Sequence, residues 1–197
     1  MPTGPGRPPS TTREEIEGIA LGLFAERGFE ATTVDDIAAA VGVGRRTLFR
    51  YFESKNDIAW GDFDWVMERL RTALAEQGDK VPLMDALRVG VVESNSYPRE
   101  QLPGLRIRMT LITRTPALQA HSALRYAEWR GVVAEWAARR LGAAVDDLVP
   151  QAIAGAALGT AMATFGRWVD HPDENLGERL DLAFRSLAAG FAAVGAR

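Results

Sequence analysis

Apolar residues recur three or four positions apart along most of the 197-residue chain, and no stretch shows the alternation of a β-strand. The first such segment has Thr12 as an N-cap and Glu15 at the capping-box position, and it stops at Gly28. Its apolar positions are Ile16, Ile19, Ala20, Leu23 and Phe24. The pattern predicts a helix over residues 12–27.

Two short helices joined by a glycine-containing turn are predicted in the segment TVDDIAAAVGVGRRTLFRYF, residues 33–52. Thr33 and Asp36 form a capping-box arrangement at the start of the first helix. Val41-Gly42-Val43 supplies the turn, and Leu48 faces inward on the second helix. Together with the preceding helix, this pattern predicts a helix-turn-helix unit, in which the second helix enters the major groove of DNA.

A long fourth helix is predicted to begin at Ser54-Lys55-Asn56-Asp57 and to close at residues 78–82. Its apolar stripe comprises Trp60, Phe63, Met67, Leu70 and Leu74. The helical segments that follow run from Pro82 to Tyr97, Leu105 to Thr113, Leu118 to Leu141, Asp147 to Val169 and Leu176 to Val194. The expected fold is all-α, with a three-helix helix-turn-helix head and a helical body, about nine helices in all.

The second helix of the predicted helix-turn-helix is basic on its outward side. Its outward residues are Arg45, Arg46, Thr47 and Arg50. Arginine carries a planar fork of donors that matches the two acceptors of guanine, and threonine reaches a base edge or a thymine methyl group. Tyr51 and Lys55 are placed to bind the DNA backbone. The alternative is an ordinary helical hairpin with a solvated basic face.

Charge and composition narrow the functional classes. The net charge of −3 and the pI of about 5.5 argue against a protein that coats nucleic acid non-specifically, so contact with DNA is expected to be local and salt-dependent. The chain has no cysteine, which removes disulfides, thiol nucleophiles and cysteine-ligated metals. His121 and His171 lack metal-ligand spacing, and no phosphate-binding glycine loop is present. We expect no cofactor and no enzymatic activity.

The first eleven residues are rich in proline and glycine, and we expect them to form a flexible arm. Within the arm, Gly6-Arg7-Pro8 resembles the centre of an AT-hook, a minor-groove binder; simple disorder is the alternative. The predicted domains are the arm at 1–11, the DNA-binding domain at 12–53, and a ligand-binding and dimerisation domain at 54–197. Since no membrane-length apolar run or signal-peptide core is evident, we expect a cytoplasmic protein without a membrane partner.

The segment Phe24–Ile58, FAERGFEATTVDDIAAAVGVGRRTLFRYFESKNDI, resembles the DNA-binding head of the TetR family of bacterial transcriptional regulators. The rest of the chain is similar to that family in architecture. SKNDIAWGDFDW at Ser54–Trp65 and PALQAHSALRYAEWR at Pro116–Arg130 are similar to TetR-type regulators encoded beside genes for the biosynthesis of mycofactocin, a peptide-derived redox cofactor. The resemblance implies a homodimeric DNA-binding regulator that responds to a small ligand.

The resemblance also implies roles for individual residues. It assigns Thr33 and Lys55 to phosphate contacts at two helix N-termini, and Tyr51 to a contact with the DNA backbone. It implies that Arg45, Arg46 and Thr47 contact the edges of bases. Phe49 departs from the family, which often has a tyrosine there, so one phosphate-binding hydroxyl is missing and Arg50 is a candidate to replace it.

Two surfaces are candidates for dimerisation. The segment Gln151 to Trp168 has a face of small residues that allows close approach of helices, and the last helix has an apolar stripe. The dimerisation residues predicted on these surfaces are Gly155, Gly159, Ala163, Phe184, Leu187 and Phe191. Two such helix pairs would form a four-helix interface. Packing of the same faces within one chain is the alternative.

A cavity for an amphipathic ligand is predicted in the body. The apolar residues that could line it, or equally fill a core, are Trp60, Phe63, Met67, Met109, Trp129 and Phe165. Residues 99–130 contain six arginines against two glutamates, and Arg106 and Arg125 among them are predicted to bind an anionic head group. An acyl thioester of coenzyme A suits an apolar interior beside a basic rim. A solvated basic surface, or ion pairs with acidic helices, would account for the same charge.

The sequence therefore predicts a homodimeric repressor that leaves its double-stranded DNA operator when a small amphipathic ligand such as an acyl-CoA binds, with mycofactocin-related genes as targets. A ligand-activated transcriptional activator is the first alternative. The second alternative is a helical small-molecule-binding protein without regulatory DNA binding, in which the head is only a scaffold.

Overall fold

The computed structural model describes residues 11–190, and within this range every regular element is helical. Contacts divide the chain into two compact units, which meet in sequence at Gly61 and Asp62. The predicted all-α fold is confirmed. The predicted arm with Gly6-Arg7-Pro8, and the predicted dimerisation residue Phe191, lie outside the described residues.

The first unit contains the predicted helix-turn-helix. Its helices are α1 (Arg13–Arg27), α2 (Val34–Val41), α3 (Arg45–Tyr51) and α4 (Lys55–Trp60). Both predicted capping boxes are confirmed: Thr12 caps α1 with Glu15, and Thr33 caps α2 with Asp36. Gly42 ends α2 in the left-handed conformation at φ 76°, which a residue without Cβ adopts without strain. Local side-chain chemistry thus sets the bounds of α1 and α2.

The core of the first unit holds the basic helix α3 in place. Its largest fully buried side chains are Ile16, Phe24, Ile37, Leu48 and Ile58. Burial of each contributes roughly 1.5–3 kcal/mol. Arg13 of α1 adds polar contacts to this core. Its guanidinium donates hydrogen bonds to the carbonyl oxygens of Tyr51 (3.3 Å) and Gly61 (3.4 Å), and it lies 4.6 Å from the ring centroid of Phe52. The ends of α3 and α4 are therefore anchored to α1.

The second unit is a helical body. Its elements are α5 (Phe63–Ala75), α6 (Leu83–Ser94), a 3₁₀ turn (Arg99–Gln101), α7 (Leu102–Arg114), α8 (Pro116–Leu141), α9 (Leu148–Asp170) and α10 (Leu176–Ala188). Helix α8 packs against α5, α7 and α9, while α10 packs against α6 and α9. Helix α9 is long and apolar enough to cross a membrane by length and composition, with a mean hydropathy of 1.4, although a third of that stretch is buried. Its many alanines, together with leucine, valine and isoleucine, account for this value.

The predicted long fourth helix is broken, and this expectation was wrong. Helix α4 ends at Gly61, whose φ of 69° and ψ of −150° are incompatible with a continued α-helix. The side chain of Asp62 then accepts a hydrogen bond from the backbone N–H of Trp65 (3.0 Å) and starts α5. The apolar stripe continues through the break, which is why periodicity alone predicted one helix. The helix predicted to begin at Leu105 also differs, since α7 begins at Leu102 with Pro103 in its first turn.

Helices α5 and α6 approach closely at Gly90. A Cβ built at this position would lie 2.7 Å from Cδ2 and 3.4 Å from the Cα of Leu74. We predict that Gly90→Ala lowers the free energy of unfolding by about 1–3 kcal/mol, because overpacking outweighs a gain in helix propensity of about 1 kcal/mol. Urea unfolding measures this. Gly131→Ala in α8 is the matched control, since a Cβ there meets nothing within 4 Å and the change should be neutral or stabilising. Equal effects of the two substitutions would contradict the close approach.

Candidate functional site

Helix α3 separates an inward and an outward face. Leu48 on α3 and Phe52 directly after it are buried in the first unit. The outward residues Arg45, Arg46 and Arg50 are exposed, and Thr47 is half-buried. Phe49 shares the outward face and is 40% exposed. The structure thus brings three arginines and an aromatic ring together on one solvent-facing surface, which we call the α3 face.

Arg45 is the most constrained arginine of the α3 face. Its Nη1 donates to the carboxylate of Asp35 on α2, at 3.1 and 3.4 Å from the two oxygens. Its guanidinium also lies 5.5 Å from the ring centroid of Phe49. Because both partners of the ion pair are exposed, the pair contributes only about 0–1 kcal/mol. Arg45 can therefore exchange Asp35 for a base or a phosphate at little cost.

Tyr51 and Lys55, two predicted phosphate contacts, donate hydrogen bonds to backbone carbonyl oxygens of the same chain. The Tyr51 hydroxyl donates to the carbonyl oxygen of Thr11 (2.9 Å). Lys55 Nζ donates to the carbonyl oxygens of Phe29 (2.8 Å) and Thr32 (3.0 Å) and lies 4.2 Å from the ring centroid of Phe29. A phosphate would have to compete with Thr11 for the single Tyr51 proton, whereas Lys55 retains a third N–H. Lys55 thus anchors the loop between α1 and α2.

Thr33 and Asp36 share their hydrogen bonds at the N-terminus of α2. The Thr33 hydroxyl donates to Asp36 Oδ2 (2.6 Å), and its oxygen accepts from the Asp36 N–H (3.1 Å). The hydrogen bond from the Thr33 side chain, followed by that from its backbone, lowers the pKa of Asp36. The hydrogen bonds between Thr33 and the ionised Asp36 therefore stabilise the fold above the unfolded-state pKa of Asp36. This stabilisation is lost as the pH falls through the lowered pKa. A phosphate contact by Thr33 would require its hydroxyl proton to leave Asp36.

The predicted apolar ligand-binding residues lie mostly in protein interior. Phe63, Met67, Met109 and Phe165 are buried in the second unit, and Trp129 is half-buried. They belong to α5, α7, α8 and α9, which the fold packs together. Trp60 is buried too, but it belongs to the first unit. The burial of these side chains agrees with the alternative in which they fill a core.

The arginines of residues 99–130 make several contacts within the body. The Arg106 guanidinium lies 3.9 Å from the ring centroid of Trp168, and it donates to the carbonyl oxygens of Trp168 and Pro172. Arg114 forms an ion pair with Asp170. The Arg125 guanidinium lies 5.2 Å from the ring centroid of Phe63. Part of the predicted basic rim is thus used to hold the ends of helices together.

A cleft of about 320 Å³ lies on the body between α5 and α6. Its lining residues are Trp65, Glu68, Arg69, Thr72, Ala73, Glu76, Glu93 and Ser94. Arg69 is held there between the rings of Trp65 and Tyr97, at 4.6 and 4.8 Å from their centroids. None of the predicted ligand-binding residues lines this cleft.

The predicted dimerisation residues divide into exposed and buried groups. On α9, Gly155, Gly159 and Ala163 are exposed, and they lie on a face with other small or apolar exposed residues: Leu148, Val149, Ala152 and Ala156. On α10, Leu187 is half-buried. Phe184 is 0% exposed within the single chain, so it packs in the protomer core and not on a surface that a partner could contact. Its predicted place on a dimerisation surface is therefore corrected. Leu182, which is 55% exposed, is the apolar residue that α10 presents to solvent.

Both the N-terminal and the C-terminal part of the chain match models of known protein families. Residues 19–59 match the family model described as bacterial regulatory proteins, tetR family. Residues 81–192 match the model of the MftR C-terminal domain. The chain belongs to the TetR family. It is a transcriptional regulator of the helix-turn-helix type, since the matched families and relatives are transcriptional regulators and not enzymes.

A relative supports this membership, and two solved structures share the fold. A Mycobacterium tuberculosis protein described as a candidate mycofactocin biosynthesis transcriptional regulator, MftR, is 42% identical over 94% of this chain and 93% of its own length. SmeT, the repressor of a Stenotrophomonas maltophilia multidrug efflux pump, shares the fold with a TM-score of 0.63, at 23% identity over 91% and 90% of the chains. Thermus thermophilus FadR, solved with lauroyl-CoA, has a TM-score of 0.56 at 23% identity over 90% and 93%.

Sequence reasoning missed the pairing of Asp35 with Arg45 in this TetR-family regulator. The two residues lie on different helices, so a helical projection of either one does not reveal the contact. It also treated Phe49 only as a missing hydroxyl, whereas the structure exposes its ring among the arginines of the α3 face. The signal available in the sequence was the position of Phe49 four residues after Arg45 on the same helix.

Proposed function

We propose that this TetR-family regulator is a homodimeric repressor that binds a near-palindromic operator through its α3 face and leaves it when a small amphipathic ligand binds. The observation that carries the proposal is the exposure of Arg45, Arg46 and Arg50 on the second helix of a helix-turn-helix. The match to a family of bacterial regulatory proteins supports the proposal.

The α3 face has the chemistry for reading a major groove. Arginine forks pair with O6 and N7 of guanine, and the Thr47 hydroxyl can reach a base edge. Arg50 and Tyr51, whose guanidinium and ring centroid lie 5.3 Å apart, are the proposed contacts with the sugar-phosphate backbone. Since the whole chain carries a net charge of −3, affinity should depend on this local contact and fall steeply with salt.

Dimerisation through α9 is the second part of the proposal. The exposed face around Gly155, Gly159 and Ala163 allows a partner helix to approach closely, and exposed Leu148 and Val149 extend it. A two-fold dimer would present two α3 helices about 34 Å apart, one helical turn of DNA, and would require a palindromic operator.

An acyl-CoA is the proposed class of effector. Helices α5, α7, α8 and α9 supply apolar side chains, while Arg106 and Arg125 supply positive charge that would exchange ring and carbonyl contacts for the ligand's phosphates. The lauroyl-CoA bound to Thermus thermophilus FadR supports this class. Shifting a repressor from about 1:99 to 99:1 between two states requires roughly 5.5 kcal/mol of differential affinity. A ligand that prefers the DNA-binding state would make the protein an activator instead.

The target genes and the compartment complete the proposal. Because the relative in Mycobacterium tuberculosis is described as a candidate regulator of mycofactocin biosynthesis, we place the operator near mycofactocin-related genes. A regulator that binds chromosomal DNA in a bacterium acts in the cytoplasm.

An electrophoretic mobility shift tests the proposal. The DNA fragments are the regions upstream of the protein's own gene and of the mycofactocin-related genes, with unrelated competitor DNA present. Lauroyl-CoA, free coenzyme A and lauric acid are titrated separately. We expect specific binding that lauroyl-CoA reverses, while neither fragment alone does so at the same concentration. Specific binding that all three leave unchanged would contradict the effector. Binding that requires lauroyl-CoA would favour the activator, and no specific binding at any salt concentration would contradict the DNA-binding function.

A further inference from the structure

Phe49 is the most exposed large apolar side chain of the first unit within residues 11–61. It is 40% exposed, against 37% for Ile19 on α1, and Leu48 beside it is fully buried. Phe49 lies on the α3 face four residues after Arg45. Burial stabilises only the covered part of the ring, so packing in the core does not account for the apolar surface that Phe49 leaves exposed.

The ring of Phe49 lies beside the ion pair that Arg45 forms with Asp35. The Arg45 guanidinium lies 5.5 Å from the ring centroid, and Asp35 on α2 holds the same guanidinium at 3.1 Å. Arg45 is thereby kept beside the ring before DNA arrives. Phe49 has no hydrogen-bonding group, which excludes the phosphate contact that a tyrosine hydroxyl would make.

The major groove offers one apolar group to such a ring. Of the four bases, thymine alone presents a C5-methyl group there, and phenylalanine is among the side chains that contact it. Residues four apart on a helix are separated by about 6 Å along its axis. That is less than two base-pair steps of about 3.4 Å each. Phe49 and Arg45 would therefore reach bases within two steps of each other.

We propose that Phe49 is a specificity-determining residue that reads the C5-methyl group of a thymine within two base pairs of the base contacted by Arg45. This inference rests on the proposed function, because it requires the α3 face to enter the major groove. It assigns to Phe49 a direct contact with a base in place of the absent phosphate contact.

Replacing single operator thymines with deoxyuridine tests this inference, because the change removes the methyl group and leaves base pairing intact. In each half-site we expect one thymine whose replacement weakens wild-type binding by about fourfold, the value for one buried methyl group. In Phe49→Ala, deoxyuridine and thymine at that position should bind equally, although overall affinity is lower. Ile19→Ala is the matched control and should retain the fourfold discrimination, since Ile19 is similarly exposed but lies on α1.

The outcomes separate this inference from the proposed function. If wild-type protein binds the operator specifically and Phe49→Ala retains the discrimination between thymine and deoxyuridine, Phe49 does not read the methyl group, while the proposed function stands. The same holds if no thymine replacement has an effect. If the wild-type protein shows no specific operator binding, both the proposed function and the role of Phe49 are overturned. Thermal melting of each variant verifies that the fold is intact.

Discussion

Replacing Arg46 with alanine is expected to weaken operator binding by about 5- to 150-fold, which corresponds to about 1–3 kcal/mol. Arg46 is exposed on the α3 face, and the helix beneath it is anchored by buried Leu48. Loss of its guanidinium would leave the acceptors of one guanine without a partner from the protein. Fluorescence anisotropy with the operator, and with variants changed at single base pairs, measures both the affinity and the specificity.

The pattern of losses for Arg46→Ala distinguishes a base contact from a phosphate contact. A base reader should lose discrimination at one operator position, whereas a phosphate contact should weaken all sequences alike and reduce the salt slope by about one. Arg139→Ala, which removes an exposed arginine from α8, is the control and should leave operator binding unchanged. Unchanged operator affinity in Arg46→Ala and Arg45→Ala together would contradict the placement of α3 in the groove.

Replacing Gly159 with glutamate is expected to dissociate the dimer and to reduce operator affinity by more than 100-fold. In the single chain a Cβ at Gly159 meets nothing within 4 Å, so the protomer should tolerate the substitution. A replacement for glycine within a helix also gains up to about 1 kcal/mol of helix propensity. In a close α9 interface, however, the same side chain would separate the helices and bury a charge. Loss of the linkage between two half-sites costs about 10²- to 10⁴-fold in affinity.

Sedimentation velocity and operator titration together measure the effect of Gly159→Glu. Ala127→Glu supplies the matched control, since it adds the same charge to an exposed position of α8 and should leave the dimer intact. A variant that remains dimeric, with its operator affinity unchanged, would show that the exposed α9 face is not the interface. A variant that unfolds would be recognised by its circular dichroism spectrum, and Gly159→Leu would then repeat the test without a charge.

Local interactions made much of the first unit predictable. The capping boxes of Thr12 with Glu15 and of Thr33 with Asp36 each span three residues, so their residue types alone indicated where α1 and α2 begin. The outward direction of Arg45 and Arg46 followed from the inward position of Leu48 on the same short helix. These features depend on neighbours that a helical projection places correctly.

Contacts between distant segments could not be read from the same pattern. The carbonyl contacts of Lys55 at Phe29 and Thr32, and that of Tyr51 at Thr11, depend on how loops return to a helix end. The sequence likewise did not distinguish buried Phe184 from exposed Gly159, because both lie on apolar stripes and the tertiary packing decides which stripe is covered. The break at Gly61 was hidden by an apolar stripe that continues across it.

A hydroxyl-radical footprint on the DNA upstream of the gene tests the central claim most directly. The account predicts two protected segments related by a two-fold axis, with centres one helical turn or about 10 base pairs apart, or a multiple of that distance. Both protections should weaken together in Arg46→Ala at a protein concentration near the Kd of the wild-type protein. Protection of a single unrepeated segment, or uniform protection along the DNA, would contradict a dimer that reads an operator through two α3 faces.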